Sequence, residues 1–264
     1  MQYTDQMGQV ISLSAPPQRI ISLVPSQTEF LLDIGLQHRL AGITRYCIHP
    51  EVLVTSIPRI GGTKQLQLEK IIALQPDLII GNKEENTEAD IRALQQHFPV
   101  WMSDIYNLED SYRMMEQLGE ITGTSEPARE LVRSIQQSFD DLPPIPPKMR
   151  PSVAYFIWRK PYMVAASGTF IHHLLGVLGL RNVFEHETRY PQIQPEQLQQ
   201  MKPDFIFLSS EPYAFGEKHR QEFKDLVPDA QVLVVDGECF SWYGSRLQHT
   251  AYYFAQLRSR YHIT

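Results

Sequence analysis

Three groups of aromatic and polar residues follow predicted strands and have the chemistry to hold a large flat molecule. In chain order, these groups contain Arg45 and Tyr46, then Trp158 and Tyr162, then Glu238 and Trp242. An aromatic ring that packs on such a ligand buries about 150–250 Å². Ligands of open α/β sheets bind outside the carboxyl ends of the strands. The pattern therefore predicts that these loops form a binding site for a flat ligand.

Cationic residues lie near the same predicted loops and could make the site locally basic. They are Arg45, Arg59, Lys64, Arg159 and Arg246. A cleft lined by one sign of charge attracts ligands of the opposite sign. An anionic ligand therefore stays open as an alternative to a neutral one.

The motifs of common enzyme chemistry are absent from the sequence. It contains no GxGxxG dinucleotide loop, no GxxxxGK[ST] phosphate loop, no GxSxG nucleophile elbow and no HExxH zinc helix. Residues 61–64, Gly-Gly-Thr-Lys, indicate a turn rather than an anion site. His172 and His173 are adjacent on a predicted helix and point about 100° apart, so they cannot chelate one metal ion together. We expect no catalytic residue and no metal site.

The 264-residue chain is acidic, with 24 Lys and Arg against 30 Asp and Glu and a formal net charge of −6. Sequence-independent nucleic-acid binding needs a basic face, so we expect no nucleic-acid partner. Cys47 and Cys239 lie too far apart for a CxxC motif and are either two thiols or one disulfide. The longest nearly apolar run, residues 174–180, is shorter than the ~20 residues of a membrane span.

Alternating helical and strand patterns predict an α/β fold in two lobes. Continuous apolar runs such as residues 19–24 are typical of strands that are buried on both faces. Residues 142–147 contain four prolines, which cannot continue a helix. We predict an N-terminal lobe over residues 1–124, a connecting helix and proline-rich boundary over 125–147, and a C-terminal lobe over 148–264.

An internal repeat supports two related lobes. Residues 66–80 read LQLEKIIALQPDLII and residues 193–207 read IQPEQLQQMKPDFIF, at a constant offset and without gaps. Glu69 aligns with Glu196, and Asp77 aligns with Asp204. Sequence similarity at a fixed period indicates repeated structural units.

Four segments carry a resemblance to a known family: RIISLVPSQTE at 19–29, LEKIIALQPDLII at 68–80, SGTF at 167–170 and GLRNVF at 179–184. With them, the chain resembles the class III substrate-binding proteins of ABC importers over about residues 8–260. These proteins are the helical-backbone receptors for cobalamin, haem and iron–siderophore complexes. The cobalamin-binding members look closest, through Tyr46, the Glu69 segment and residues 190–193.

The resemblance implies two parallel-sheet lobes joined by a single long α-helix, with a ligand cleft between the lobes. It also implies that Glu69 and Glu196 meet arginines of a membrane permease. The expected location is the periplasm or the cell envelope. Residues 1–24 lack the apolar stretch of a secretory signal, so a cytoplasmic location stays open.

The residues and the resemblance together predict a monomeric, non-enzymatic binding protein that delivers a metal chelate to the permease. Cobalamin is the first candidate for this chelate. The residues expected to wall the macrocycle are Tyr46, Trp158, Tyr162 and Trp242. Ser167 and Glu238 would form hydrogen bonds at its rim, and Arg45 and Arg246 would contact an anionic ligand. One alternative is an iron–siderophore or haem receptor, and another is a cytoplasmic α/β enzyme of chelate metabolism.

Overall fold

The structure, a computed structural model, describes residues 1–263, which divide into two compact units. The first unit contains residues 1–105, 109–136 and 243–246, and the second contains 106–108, 137–242 and the residues from 247 onward. The division falls after Gln136, inside a helix. Residues 243–246 belong to the first unit although they lie within the predicted second lobe.

A four-stranded parallel sheet forms the core of the first unit. Its strands, in chain order, are β3 (Ile20–Ser22), β4 (Leu40–Ile43), β7 (Leu78–Asn82) and β8 (Val100–Ser103), and their spatial order is β4-β3-β7-β8. Two antiparallel hairpins are β1 (Gln2–Thr4) with β2 (Val10–Ser12), and β5 (Gly61–Gly62) with β6 (Gln65–Leu66). Every residue of β3 and β7 is buried, as the continuous apolar runs predict.

The first six helices are α1 (Pro25–Asp33), α2 (Glu51–Val54), α3 (Leu68–Ala73), α4 (Glu88–Gln95), α5 (Leu108–Thr122) and α6 (Ser125–Asp140). The sequence suggests Ser26 or Thr28 as the N-cap of α1, and this is wrong. Val24 is the N-cap, and Pro25 occupies the first turn, where its fixed φ suits a helix start. The Thr28 hydroxyl instead donates to the carbonyl of Val24 at 2.9 Å.

The second unit repeats this sheet. Its strands are β9 (Ser152–Trp158), β10 (Met163–Val164), β11 (Arg181–Asn182), β12 (Phe205–Ser209) and β13 (Gln231–Val235). β11, β9, β12 and β13 are parallel in that spatial order, and β10 adds an antiparallel pairing to β9. The parallel order matches β4-β3-β7-β8 strand for strand. The predicted fold class, α/β with parallel sheets and a long helix, is confirmed.

The remaining helices are α7 (Phe170–Leu178), α8 (Pro195–Met201), α9 (Arg220–Leu226), α10 (Glu238–Ser241) and α11 (Leu247–Tyr261). Thr169 caps α7 by accepting a hydrogen bond from the His172 amide at 3.1 Å. Gly179 ends α7 with φ of 92°, and a Cβ there would lie 2.3 Å from the Ile145 side chain. Glycine is therefore required at this helix end.

The aligned aspartates of the repeat form equivalent hydrogen bonds in both units. Asp77 accepts hydrogen bonds from the amides of Gln18 and Arg19, at 2.7 and 2.8 Å, where the chain enters β3. Asp204 accepts from the amide and the hydroxyl of Ser152, at 2.7 and 2.6 Å, where β9 begins. Each carboxylate fixes the start of the strand that neighbours its own strand.

Candidate ligand-binding site

Tyr46 and Arg45 form an exposed pair on the first unit, directly after β4. Tyr46 keeps 49% of its surface exposed. The Arg45 Cζ atom lies 5.0 Å from the centroid of the Tyr46 ring, and Arg45 Nη2 donates to the Tyr46 hydroxyl at 3.0 Å. A guanidinium over a tyrosine face gives a cation–π attraction that restrains both side chains. The pair presents one aromatic and one cationic group to solvent.

Arg59 holds the loop that carries this pair. Its guanidinium donates to the backbone carbonyls of Thr44, Cys47 and Val54, at 3.0, 2.7 and 3.1 Å. The buried thiol of Cys47 also lies 3.1 Å from the Thr28 hydroxyl, and its burial raises its pKa. The Tyr46 loop is therefore fixed to the body of the first unit at several points.

Gly62 of β5 lies against the Tyr46–Arg45 pair. A Cβ added at Gly62 would lie 3.2 Å from Arg45 Nη2 and 3.2 Å from Tyr46 Cε2. These distances are shorter than ordinary van der Waals contact. The missing side chain lets the pair pack directly on the hairpin.

Trp158, at the end of β9, is exposed over 39% of its surface in the second unit. Its indole N–H donates to the Lys160 carbonyl at 3.1 Å. Its ring packs edge-on against Tyr213, with centroids 5.5 Å apart. Tyr213 is not among the residues that the sequence predicts for the site, although it follows β12 just as Trp158 ends β9. The two rings form an aromatic shelf at the carboxyl ends of neighbouring strands.

Tyr162 packs into the core beside this shelf. Its ring contacts Phe156 and Phe223, with centroids 5.8 and 5.3 Å away. Its hydroxyl donates to Glu222, which also pairs with Arg159 at 2.6 Å. Burial and the adjacent carboxylate raise the pKa of Tyr162 to about 12. Its ring and its hydroxyl both have protein partners.

Trp242 is buried, with 8% of its surface exposed. Its indole N–H donates to the Glu211 carboxylate at 3.0 Å, and the Ser241 hydroxyl donates to the same oxygen at 2.6 Å. Burial raises the pKa of Glu211 above its ordinary value. Residues 238–241, expected as a loop, form the short helix α10, and this turn of helix directs Trp242 inward.

Arg246 pairs with Glu29 inside the first unit. Arg246 Nε and Nη2 donate to the two carboxylate oxygens of Glu29, at 3.0 and 2.6 Å. Burial raises the pKa of Glu29, and the charge of Arg246 opposes that effect. Bidentate pairing leaves this guanidinium less able to bind a ligand.

The other predicted polar contacts are partly buried. The Ser167 hydroxyl donates to the Glu187 carbonyl. Glu238 begins α10, and its amide donates to Asp236 at 3.0 Å. Each has a partner within the second unit.

Glu69 and Glu196 are both exposed, and each lies in the first turn of its helix, α3 or α8. Neither carboxylate is buried in the core of its unit. Exposure of both is what a docking role requires.

Within residues 1–263, Cys47 and Cys239 are thiols that form no disulfide, and no group of three His, Cys, Asp or Glu residues could hold a metal ion. Over the same residues, no helix combines the length and apolarity needed to cross a membrane.

Comparison with known proteins places these features in a family. A protein family described as "Periplasmic binding protein" matches residues 20–230 of this chain. The vitamin B12-binding protein of Vibrio cholerae is 28% identical over 209 residues, covering 78% of this chain and 75% of its own. An uncharacterized ABC transporter substrate-binding lipoprotein, YvrC of Bacillus subtilis, is 25% identical over 255 residues, covering 92% and 80%.

Solved structures have the same fold. The periplasmic heme-binding protein BhuT, in complex with two hemes, superposes with a TM-score of 0.78 at 19% identity, over 90% of this chain and 98% of its own. The periplasmic vitamin B12-binding protein BtuF of Vibrio cholerae gives 0.73 at 22% identity, over 92% and 98%. The family match over most of the chain and these shared folds lead to one conclusion: the chain belongs to the periplasmic binding protein family.

Proposed function

We propose that this protein is the substrate-binding component of an ABC importer and that it captures a corrinoid. Cobalamin is the first candidate among the corrinoids. The resemblance of the sequence to cobalamin-binding members and its 28% identity to a vitamin B12-binding protein support this proposal. The protein acts by binding and release and needs no catalytic residue. Its proposed location is the periplasm or the cell envelope, and it works as a monomer.

The internal pairing of the cationic side chains carries the choice of ligand. All five predicted cations have protein partners. Arg159 pairs with Glu222 and Arg246 with Glu29, Arg59 and Lys64 donate to backbone carbonyls, and Arg45 donates to the Tyr46 hydroxyl. The carboxylates offset the charge of Arg159 and Arg246, and the carbonyls occupy donors of Arg59 and Lys64, so fewer cationic donors are left for an anionic siderophore complex. A neutral corrinoid needs mainly apolar surface and hydrogen bonds, which the exposed aromatic residues supply.

Ligand contact is assigned to exposed or partly exposed groups of each unit. On the first unit these are Tyr46 and Arg45, and on the second they are Trp158 and Tyr213, with Ser167 and Glu238 as polar contacts. Tyr162, Trp242 and Arg246 are assigned to positioning the surrounding structure, because the Tyr162 ring packs against core aromatic rings and the side chains of Trp242 and Arg246 are largely buried.

A titration of three ligands tests the proposal. Cyanocobalamin, hemin and a ferric hydroxamate chelate are each added to the protein in a calorimeter. We expect saturable binding of cyanocobalamin with a Kd in the micromolar range or below. The Tyr46→Ala variant should bind it more weakly, and the Glu130→Ala variant should bind as the native chain does. Binding of the ferric chelate without any binding of cyanocobalamin would contradict the proposal.

Haem is a second candidate, and the Tyr46–Arg45 pair favours it. A tyrosine oxygen can serve as an axial ligand to haem iron. The guanidinium 3.0 Å from that oxygen could pair with a propionate carboxylate. If haem is the ligand, hemin will produce an intense Soret absorbance band that Tyr46→Phe shifts. An unchanged hemin spectrum in the presence of the protein would reject this candidate.

A further inference from the structure

A cavity of about 590 Å³ lies within the second unit, away from the aromatic shelf. Residues of α7 and β11 form much of its lining, together with residues 147 and 150 from the proline-rich segment. Its volume lies within the range of small-molecule binding pockets. None of the ligand contacts proposed above lines it.

The polar lining contains more basic than acidic side chains. Arg150, Arg181, His172 and His173 line the cavity, whereas Glu185 is the acidic residue of the lining. Arg189 lies beside the cavity, where its Nη1 atom donates to the carbonyl of Gly168 at 2.8 Å. The protein as a whole is acidic, so this concentration of cations is a local departure from its composition.

Arg150 is held in a defined orientation over α7. Its Nε atom donates to the Ile145 carbonyl at 3.1 Å. Its Nη1 atom lies 3.9 Å from the position that a Cβ at Gly176 would occupy, so the guanidinium lies close to the helix backbone. Burial, and then the charge of nearby Arg150, lower the pKa of Arg258.

The cavity is separated from Trp158 along the sheet. Arg181 pairs with Ser152 at the first residue of β9, and Trp158 is the last residue of that strand. At about 3.3 Å per residue, six residues correspond to roughly 20 Å. One small ligand cannot contact both Arg181 and the Trp158 ring.

We propose that this cavity is a second binding site, which takes a small molecule carrying a phosphate group. Guanidinium groups bind phosphate oxygens through paired, charge-assisted hydrogen bonds. Arg150 and Arg181 contact the anion, and the two histidines complete the polar lining. The site is independent of the chelate, and its occupation leaves the aromatic shelf unchanged.

Calorimetric titration of the full chain with inorganic phosphate, at low ionic strength, tests the proposal. We expect saturable binding of one phosphate per chain. Arg181→Gln should weaken this binding by about tenfold, because it removes charge-assisted hydrogen bonds. Arg220→Gln is the matched control, since Arg220 lies in the same unit and pairs with Glu217 outside the cavity.

Three outcomes are distinguishable. Loss of phosphate binding in Arg181→Gln and in Arg150→Gln, with native binding in Arg220→Gln, supports the site. Equal phosphate affinity in all three variants, or no saturable binding to the native chain, overturns it. Cyanocobalamin titration of the same variants separates this site from the chelate site, because we expect Arg181→Gln to bind cyanocobalamin as the native chain does.

Discussion

At the scale of single residues, the exposed Tyr46–Arg45 pair depends on a neighbour that contributes no side chain. Gly62 packs against both residues, and its φ lies outside the left-handed region, so alanine is tolerated by the backbone there. We expect Gly62→Ala to displace the pair by a few tenths of an ångström and to weaken cyanocobalamin binding about tenfold. Gly216→Ala is the control, because a Cβ there meets nothing within 4 Å. Equal calorimetric affinities of the two variants would show that Gly62 does not position the site.

Trp158 and Trp242, both predicted to contact the ligand, are expected to respond differently to truncation. Trp158 is exposed, so Trp158→Ala should weaken ligand binding by about 1–3 kcal/mol and leave the fold intact. Trp242 is buried and satisfies Glu211, so Trp242→Ala should lower the free energy of unfolding by about 3–5 kcal/mol. Chemical denaturation of both variants checks this. Equal stability of the two would contradict the assignment of Trp242 to the core.

Glu211 makes stability depend on pH. Burial raises its pKa above the ordinary 4.5, so the folded protein holds this proton more tightly than the unfolded chain does. Its contribution to stability is therefore full below pH 4.5 and is lost as the pH rises through the raised pKa. The urea midpoint of Glu211→Gln should fall less than that of the native protein between pH 5 and pH 7. Glu217→Gln, an exposed control, should follow the native curve, and parallel curves for all three proteins would exclude the effect.

At the scale of elements, the repeat joins helix, turn and strand in the same way in both units. Gln75 and Lys202, which align in the repeat, end α3 and α8 with φ of 45° and 44°. The strands that follow, β7 and β12, run over aligned residues. The similarity of the two segments therefore extends from sequence to backbone conformation.

The aligned aspartates supply a test of this element. Asp77→Ala and Asp204→Ala each remove an acceptor of two hydrogen bonds at the start of a strand. We expect each to lower the free energy of unfolding by about 1–3 kcal/mol. Hydrogen bonding from Ser152 lowers the pKa of Asp204, so its contribution should be present above pH 3.8 and decline as the pH falls through the lowered pKa. Denaturation at pH 7 measures the loss, and Asp229→Ala is the control. A loss no larger than that of the control would contradict the shared role.

At the scale of the whole molecule, the docking of Glu69 and Glu196 on the permease stays a prediction that can be tested. Both carboxylates are exposed, one in each unit, and can form charge-assisted hydrogen bonds with arginine. Reversing both charges, Glu69→Lys with Glu196→Lys, should abolish stimulation of the importer ATPase and leave cyanocobalamin affinity unchanged. Glu130→Lys with Glu217→Lys is the control pair. Full stimulation by the double variant would reject the docking role.

The fold class and the repeat can be predicted from the amino-acid sequence, because both depend on local periodicity. The relevant signals are local. Continuous apolar runs predict the buried strands β3 and β7, and proline and glycine mark helix ends within a few residues. The sequence predicts a helix over residues 170–178, and α7 has these bounds. The short strands β10 and β11 escaped prediction, since two-residue strands have no period.

The exposure of the predicted site residues cannot be predicted from the sequence, because it depends on the tertiary structure. Arg246 has its carboxylate partner 217 positions away in Glu29, and Trp242 has its partner 31 positions away in Glu211. No local pattern encodes such pairs, because a side chain bonds to whatever the fold brings within about 3 Å. Tyr46 and Trp158 are exposed. Tyr46 lies on the surface loop that Arg59 holds, and Trp158 lies at the end of β9. Residue type therefore predicts which chemistry is available, and long-range packing decides which groups remain free to perform it.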